Sequence, residues 1–229
     1  MSVGETVHCG DGSVTLCDML PRQDADMAIV NAARVSFGAR GKGDEKDRRL
    51  LRYLLEHRHT SPFEHVVFTF EVDAPVVVWW QWVRHRTWSF NFQSGRYTEF
   101  QPDRILENPG PWRRQSESNR QASDGLVSLE DDEALVDLWT EHKARSVTLY
   151  QTALAMGVAR EQARMFLPGF AAMYRATCTV DLHNLMHFIR LRATPEAQVE
   201  IAQYAAALWK VVRSTIPWTA EIFEGEAGR

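Results

Sequence analysis

The chain has 229 residues, a length that suits a single domain over 1–229. Hydrophobic residues make up 45% and charged residues 24% of the sequence, which is typical of a globular protein with a sizeable core. The formal net charge of -4 argues against a protein that binds nucleic acid over a broad surface, so a basic site must be local.

Predicted elements in the first half begin with a helix over residues 23–37, where apolar side chains recur at helical spacing. A second helix is predicted from Asp44 to His57. The stretch 66–72 is β-branched and aromatic, which predicts a strand. Residues 76–86, VVVWWQWVRHR, predict a mostly buried helix whose last turn carries the cations.

The second half is predicted to be almost entirely helical. Residues 108–125 hold many turn formers and no apolar period, which predicts a mobile polar loop or insertion. Helices are predicted over 131–156, from Ala159, from Asp181, and from Pro195 to Ser214 with Thr194 as the cap. Because helices outnumber strands, we expect an α+β fold, a helix-rich domain with a small antiparallel sheet.

The placement of the cysteines and the hydropathy of the chain bear on its cellular compartment. Cys9, Cys17 and Cys178 form no CxxC pair, which argues against a disulfide framework. No apolar run approaches the roughly 18 residues of a membrane helix. The sequence therefore predicts a soluble cytoplasmic protein that does not bind membranes.

Residues 84–97, RHRTWSFNFQSGRY, concentrate cations, hydroxyls and aromatic rings. On a continuing helix, Gln81, Arg84 and His85 would share one face. Charges on an apolar helix cost several kcal/mol unless they are paired, so these cations need an anionic partner or reach solvent. A planar anionic ligand would explain both the rings and the charges.

A polar turn is predicted to follow, and its donors suit a phosphate monoester. An ordinary polar loop is the alternative. Ser94 has no recognisable base beside it, so a role as phosphate donor is favoured over one as nucleophile. The residues of this turn are Ser89, Asn91, Ser94, Gly95 and Arg96.

The segment 181–192, DLHNLMHFIRLR, places His183 and His187 one helical turn apart. Such a pair can hold zinc, but a third ligand is not obvious, and hydrogen-bonding histidines are the favoured interpretation. Arg192 closes the helix, either as a plain C-terminal cation or as an activating group in an anionic pocket. From spacing alone, Arg160 and Arg164 indicate a solvated helix face.

Together these segments resemble the flavin-dependent thymidylate synthases. RHRTWSFN (84–91) fits the RHRxxSxN signature of that family, and SGRY continues it. The segments 32–37, 57–65, 159–168 and 181–201 also resemble the family, in its order and at about its spacing. The resemblance covers roughly Ala32 to Phe223, apart from the polar loop.

The resemblance implies a homotetramer with shared active sites, each holding FAD. It implies methylation of uracil C5 of dUMP, with methylenetetrahydrofolate as carbon donor and NADPH as reductant. It implies no metal and no cysteine nucleophile, and the three cysteines do lie outside every motif.

The resemblance also assigns roles to individual residues. Arg192 is expected to be catalytic, because it occupies the position of the arginine that helps to ionise uracil N3. Residues expected to bind the flavin are His59, Ser61, Glu64, Arg84, His85, Arg86, Asn91, Asp181, Leu182, His183 and His187. Residues expected to bind the nucleotide are Gln81, Arg84, Ser94, Gly95, Arg96, Arg164 and Arg192.

One departure from the family pattern concerns the substrate. The family usually has an acid directly after the motif asparagine, whereas this chain has Phe92 followed by Gln93. A methylase with relaxed sugar recognition, accepting UMP as well as dUMP, is therefore the alternative.

Three other classes of protein stay open from the sequence. A single-stranded nucleic-acid-binding module would use Arg84, Arg86, Trp88 and Phe90. A zinc hydrolase would use His183 and His187. A flavin-binding relative without activity is the third, and the intact RHR and Arg192 argue against it.

Overall fold

A five-stranded antiparallel sheet lies at the centre of the fold in a computed structural model that describes residues 3–120 and 122–227. Its strands are β1 (Thr6–Cys9), β2 (Gly12–Leu20), β3 (Val67–Pro75), β4 (Ser89–Phe92) and β7 (Met173–Asp181). They lie in the order β1-β2-β3-β7-β4, so β4 is an edge strand. A separate hairpin pairs β5 (Arg113–Gln115) with β6 (Ser123–Leu126).

Helices make up most of the remaining regular structure. They are α1 (Ala25–Arg34), α2 (Glu45–Glu56), α3 (Val76–Trp82), α4 (Leu129–Ala155), α5 (Arg160–Ala163), α6 (Leu182–Arg192), α7 (Val199–Val212) and α8 (Pro217–Ala227). Among the described helices, none combines the length and apolar character of a membrane span. The predicted α+β fold, rich in helix with a small antiparallel sheet, is confirmed.

The main core fills the space between the sheet and helices α3, α6 and α7. Trp82 at the end of α3 is fully buried, and its ring centroid lies 5.0 Å from that of Phe188 on α6. Phe68 and Phe70 of β3 and Leu208 of α7 are fully buried in the same core. This packing fixes α3 and α6 against each other, and their C-terminal ends carry the predicted site residues.

The predicted helices that begin near Asp44 and Asp181 are confirmed, and the structure shows how each is capped. The Asp44 side chain accepts hydrogen bonds from the backbone N–H groups of Lys46 and Asp47 at the start of α2. The Asp181 side chain accepts from the N–H of Asn184 at the start of α6. Both carboxylates therefore satisfy donors that a helix start leaves unpaired.

The predicted helix over 76–86 is wrong at its C-terminal end, because α3 stops at Trp82. Trp82 and Trp88 are both buried, with ring centroids 5.3 Å apart. A continued helix would carry Trp88 about 9 Å along the axis and onto another face. The chain turns instead, so Arg84–Arg86 lie in a turn, and Ser89 and Asn91 lie on β4 rather than in a polar loop.

The segment 108–125, predicted to be a mobile polar loop or insertion, contains β5 and most of β6, which pair as a hairpin. Gly125 has a φ of 63°, a conformation that favours glycine. The N–H of Trp112 donates to the Asp132 carboxylate of α4 at 2.9 Å. The composition concealed the hairpin because its strands are short and polar on both faces.

The start of the last long predicted helix is wrong by four residues. Helix α7 begins at Val199, with Gln198 as its N-cap, and Thr194 and Pro195 lie in the preceding turn. The Thr-Pro-Glu signature marks a turn here, whose Ala197 N–H donates to the Thr194 carbonyl at 3.1 Å. Helix α8 was not predicted from the sequence.

A buried carboxylate organises the glycine-rich segment between α1 and α2. Asp47 is fully buried and accepts from Arg34 at 2.8 Å (Nε) and 2.5 Å (Nη2). Its other oxygen accepts from the N–H groups of Lys42 at 2.6 Å and Gly43 at 2.8 Å. Burial alone would raise the pKa of Asp47, but these hydrogen bonds lower it below its ordinary value.

A second buried carboxylate joins α1 to α8. Asp26 of α1 accepts hydrogen bonds from the backbone N–H groups of Trp218 and Thr219 and from the Thr219 hydroxyl. These donors belong to the first turn of α8. Asp26 therefore caps a helix that begins more than 190 residues later in the sequence.

Candidate active site

Arg192, the last residue of α6, is held by two residues near the end of α3. Its Nε donates to Nε2 of His85 at 3.1 Å, and its Nη1 donates to Oε1 of Gln81 at 3.0 Å. Its Nη2 lies 3.4 Å from the Gln81 carbonyl oxygen. A guanidinium has five N–H donors, so these contacts leave two for a ligand. The structure thus brings Gln81 and His85 together with Arg192, although the helix on which Gln81 and His85 were predicted to share a face ends before His85.

His85 is a neutral acceptor in this arrangement. Burial, the positive charge of Arg192 and the neighbouring His187 lower the pKa of His85 to about 4. Because Arg192 can only donate, Nε2 of His85 must accept and the ring proton must lie on Nδ1. The RHR segment thus combines an uncharged imidazole with two exposed guanidinium groups, Arg84 and Arg86.

Two adjoining cavities collect most of the residues predicted to bind the flavin. The larger, about 740 Å³, is lined by Arg84, His85, Arg86, Arg192 and the face of α6 that carries His183 and His187. The smaller, about 400 Å³, is lined by His59, Phe63 and the same two histidines. Because both are lined by His183 and His187, the two cavities lie side by side along α6. This space combines guanidinium and imidazole donors with an apolar wall.

The predicted phosphate-binding residues form a second group beyond the other end of β4. Ser94, Gly95 and Arg96 follow β4, and the Arg96 N–H donates to Oγ of Ser94 at 3.3 Å. A side-chain carbon at Gly95 would lie 3.6 Å from Nη1 of Arg164, so Arg164 lies against this turn. Arg84 and Arg192 lie near the start of β4, so the structure separates the predicted nucleotide set into two groups.

Other predicted site residues lie outside the two cavities or already have structural contacts. Ser61 and Glu64 are exposed on a 3-10 turn and do not line either cavity. Asn91 is exposed on β4. Asp181 caps α6, and the Leu182 side chain is fully buried in the core. The backbone N–H of Leu182 also has a partner, because it donates to the Val66 carbonyl at 2.8 Å.

Two alternatives from the sequence were a single-stranded nucleic-acid-binding module and a zinc hydrolase. Trp88 is only 5% exposed and packs on Phe70, Trp82 and Phe188, so it is not available to stack on nucleic-acid bases. Within residues 3–120 and 122–227, no three histidine, cysteine or acidic side chains form a group that could hold a metal ion.

Sequence reasoning missed three residues that line the larger cavity, namely Thr87, Asn184 and Leu191. Leu191 lies one helical turn after His187 on α6, so the helical period could have identified it. Thr87 and Asn184 directly follow predicted site residues in the sequence, and no periodic signal marks them.

The unusual pKa of His85 predicts how stability depends on pH. The folded state holds this imidazole neutral down to about pH 4, whereas in the unfolded chain it protonates near its ordinary value of 6.5. Between these values the unfolded state binds more protons, so His85 makes stability fall as the pH is lowered from about 6.5 to about 4. The free energy of unfolding in urea should therefore fall less in His85→Gln than in wild type over this pH range.

The matched control is His8→Gln, at an exposed position of β1, whose free energy of unfolding should fall as much as that of wild type. An equal fall in all three proteins would contradict the expectation.

The chain was compared with protein-family models and with known proteins to identify its class. The family model described as "Thymidylate synthase complementing protein" matches residues 15–218. A flavin-dependent thymidylate synthase of Thermus thermophilus is 45% identical over 215 residues, covering 93% of this chain and 76% of that protein. The flavin-dependent thymidylate synthase of Thermosipho melanesiensis is 41% identical over 212 residues, covering 93% and 90%.

Solved structures give the same result at the level of the fold. The UMP/dUMP methylase PolB from Streptomyces cacaoi, bound with 5-Br UMP, superposes with a TM-score of 0.78 at 32% identity, covering 94% of this chain and 95% of PolB. With 5-Br dUMP bound, PolB gives a TM-score of 0.80 at 31% identity, covering 94% and 96%. The chain is therefore an enzyme, and it belongs to the flavin-dependent thymidylate synthase family.

Proposed function

We propose that this enzyme methylates C5 of the uracil of dUMP, using FAD, with methylenetetrahydrofolate as carbon donor and NADPH as reductant. The observation that carries the proposal is the fixed position of Arg192 against Gln81 and neutral His85, with two N–H donors left for a ligand. The names of the similar enzymes support the nucleotide substrate and the flavin.

Arg192 would act by electrostatic stabilisation. Uracil C5 becomes nucleophilic when negative charge builds on the ring at O2 and N3. A guanidinium whose orientation is already fixed stabilises that charge without having to reorganise during the reaction. Burial lowers the pKa of Arg192, but neutral partners leave its positive charge undiminished for the ligand. The uncharged His85 orients the group and does not compete for the anion.

The two cavities along α6 fit a flavin dinucleotide in their chemistry. A dinucleotide carries a pyrophosphate and flat rings, which need cationic donors and apolar walls. Arg84 and Arg86 would meet the negative charge, while His59, His183 and His187 would line the rings. When bound and reduced by NADPH, the flavin would supply the hydride that completes the methyl group.

The nucleotide phosphate would bind at Ser94, Gly95, Arg96 and Arg164, where hydroxyl, backbone and guanidinium donors lie together. This group lies beyond the opposite end of β4 from Arg192. We therefore propose that a homotetramer forms shared active sites. In each site, one subunit would supply the residues that bind the nucleotide phosphate, and another subunit would supply Arg192. Exposed Trp80 and Phe170, with ring centroids 5.2 Å apart, support an interface between copies.

A second candidate is a relaxed methylase that accepts both UMP and dUMP, and Phe92 favours it. Phe92 packs edge-on against Trp79 with ring centroids 4.8 Å apart, and it is still 38% exposed. A phenyl ring offers neither the charge nor the hydrogen bond of the acid that the family usually has here. PolB, which is similar in fold, is named as a methylase of both nucleotides.

Comparing turnover of UMP and dUMP tests this candidate. If Phe92 relaxes sugar recognition, the wild type should methylate both, and Phe92→Glu should lower the UMP-to-dUMP ratio of kcat/KM by about tenfold. The matched control, Phe92→Leu, should keep the wild-type ratio. Undetectable UMP methylation beside active dUMP methylation would eliminate the relaxed methylase and leave the main proposal standing.

An absorption spectrum of the purified protein tests the cofactor. A yellow protein that releases FAD on denaturation is expected, and a colourless protein that gains no flavin on incubation with FAD would contradict the proposal.

A cytoplasmic location remains a prediction, supported by the scattered cysteines.

A further inference from the structure

Gln198 contacts the residue that holds Arg192. Nε2 of Gln81 donates to Oε1 of Gln198 at 3.2 Å, while Oε1 of Gln81 accepts from Arg192 at 3.0 Å. Gln198 lies immediately before α7, 117 positions from Gln81 in the sequence. Both amides lie beside a cavity of about 660 Å³ that also includes Arg192 and the β5–β6 hairpin.

The chemistry of Arg192 fixes the direction of this chain of hydrogen bonds. A guanidinium has donors and no acceptor, so the atom of Gln81 that faces it must be the amide oxygen. The amide nitrogen of Gln81 then faces Gln198, and the facing atom of Gln198 must be its oxygen. A Gln81 amide rotated by 180° would place donors against Arg192 and lose both hydrogen bonds. The Gln198 oxygen therefore selects the one orientation of Gln81 that accepts from Arg192.

The capping of α7 does not explain a glutamine at position 198. Side chains that cap helices are shorter, chiefly Ser, Thr, Asp and Asn, because they must reach back to the N–H groups of the first turn. Gln198 occupies the N-cap of α7 but makes no side-chain cap hydrogen bond. The side chain is turned toward Gln81 instead, so its amide serves the site and not the helix.

The hairpin fixes the other side of Gln198. Glu200 of α7 is ion-paired with Arg113 of β5, and Arg113 Nε donates to the Ser123 hydroxyl of β6 at 3.1 Å. Burial raises the pKa of Glu200, but Arg113 and the Gln198 side chain lower it overall. The negative charge of Glu200 favours the orientation in which the amide nitrogen of Gln198 faces Glu200 and the amide oxygen faces Gln81. The hydrogen-bonded chain itself runs from Arg192 through Gln81 to Gln198.

We infer that Gln198 is a positioning residue, which holds Gln81 in the orientation that fixes Arg192 for the reaction. The inference rests on the proposed function for its kinetic consequence, but its geometric consequence can be measured independently. It also gives the β5–β6 hairpin a role as the outer support of the site.

The test uses full-length holoenzyme and the variants Gln198→Met and Gln198→Glu. Methionine has a similar length but no acceptor of comparable strength, so kcat for dUMP should fall by about 10- to 100-fold, as expected when a catalytic group loses its position. Glutamate keeps an acceptor toward Gln81 but places a second carboxylate close to Glu200, so its kcat should lie between those of wild type and Gln198→Met. Melting temperature and flavin content should stay close to wild type in both.

A double-mutant cycle separates positioning from a merely structural role. If Gln198 acts through Gln81, adding Gln198→Met to Gln81→Met should cause little further loss of kcat, whereas independent roles would multiply the two losses. Multiplied losses, or equal losses in Gln198→Met and Gln198→Glu, would overturn the inference.

A crystal structure of Gln198→Met provides a readout that does not depend on methylation. We expect the Gln81–Arg192 contact to be lost while the start of α7 is retained. If the Gln81–Arg192 contact is the same in Gln198→Met as in wild type, the inference is overturned, whatever the activity of the variant. If neither uridylate is methylated by wild type while the crystal structure shows the expected displacement, then the proposed function fails and the positioning role stands.

Discussion

Arg192→Lys should lower kcat for uridylate methylation by about 10²- to 10³-fold, the loss typical of removing one oriented donor from a charge-stabilising site. Lysine keeps the positive charge but lacks the planar fork. A single ammonium cannot reproduce the spacing by which Arg192 donates to His85 and Gln81 and still presents two N–H groups to the ligand. Initial rates with dUMP and with UMP, at saturating co-substrates, measure the effect.

The matched control is Arg213→Lys, which makes the same change in an exposed arginine paired with Glu224 after α7. It should leave kcat unchanged. The flavin absorption of Arg192→Lys should remain, because Arg84 and Arg86 still line the cavity. A variant with flavin bound and full turnover would show that Arg192 has no part in catalysis.

Asp47→Ala should destabilise the protein by about 3–5 kcal/mol, the range observed when one partner of a buried ion pair is removed. The substitution leaves Arg34 without its carboxylate and leaves the N–H groups of Lys42 and Gly43 without their acceptor. The glycine-rich segment between α1 and α2 then loses its anchor. Urea unfolding monitored by circular dichroism gives the difference in the free energy of unfolding.

Asp137→Ala serves as the control because Asp137 is exposed on α4, and its effect should stay within about 0.5 kcal/mol. Asp47→Asn keeps one acceptor oxygen and should fall between the control and Asp47→Ala. A loss below about 1 kcal/mol in Asp47→Ala would contradict the role assigned to this carboxylate.

Helices were the part of the fold that the sequence predicted best. Their signal is local, since side chains three and four positions apart share a face, as in α2, α4 and α6. Most of the sheet was missed. Strand β7 alternates buried Ala176, Cys178 and Val180 with polar neighbours, but small and sulfur-containing side chains do not stand out from a polar loop. The end of α3 depended on Trp82 and Trp88 packing together, which is a tertiary effect.

The candidate site was predictable as a set of residues but not as a geometry. Gln81 and Arg192 are 111 positions apart, and only the packing of α3 against α6 brings them into contact. The family resemblance identified both residues. It did not indicate that His85 is neutral, because that depends on burial beside Arg192. Gln198 lies within the segment 181–201 that resembles the family, but the predicted helix start at Pro195 placed it inside a helix, so its position at the N-cap could not be recognised from the sequence.

The cap that Asp26 provides for α8 has a consequence for synthesis of the chain on the ribosome. During elongation, the N–H groups that this carboxylate requires are made more than 190 residues after it. Until Trp218 and Thr219 have left the exit tunnel, the Asp26 carboxylate stays hydrated. The surface of α1 that packs against α8 stays exposed to solvent for the same time. Nascent chains stalled before residue 218 should therefore be far more sensitive to proteases near α1 than released chains.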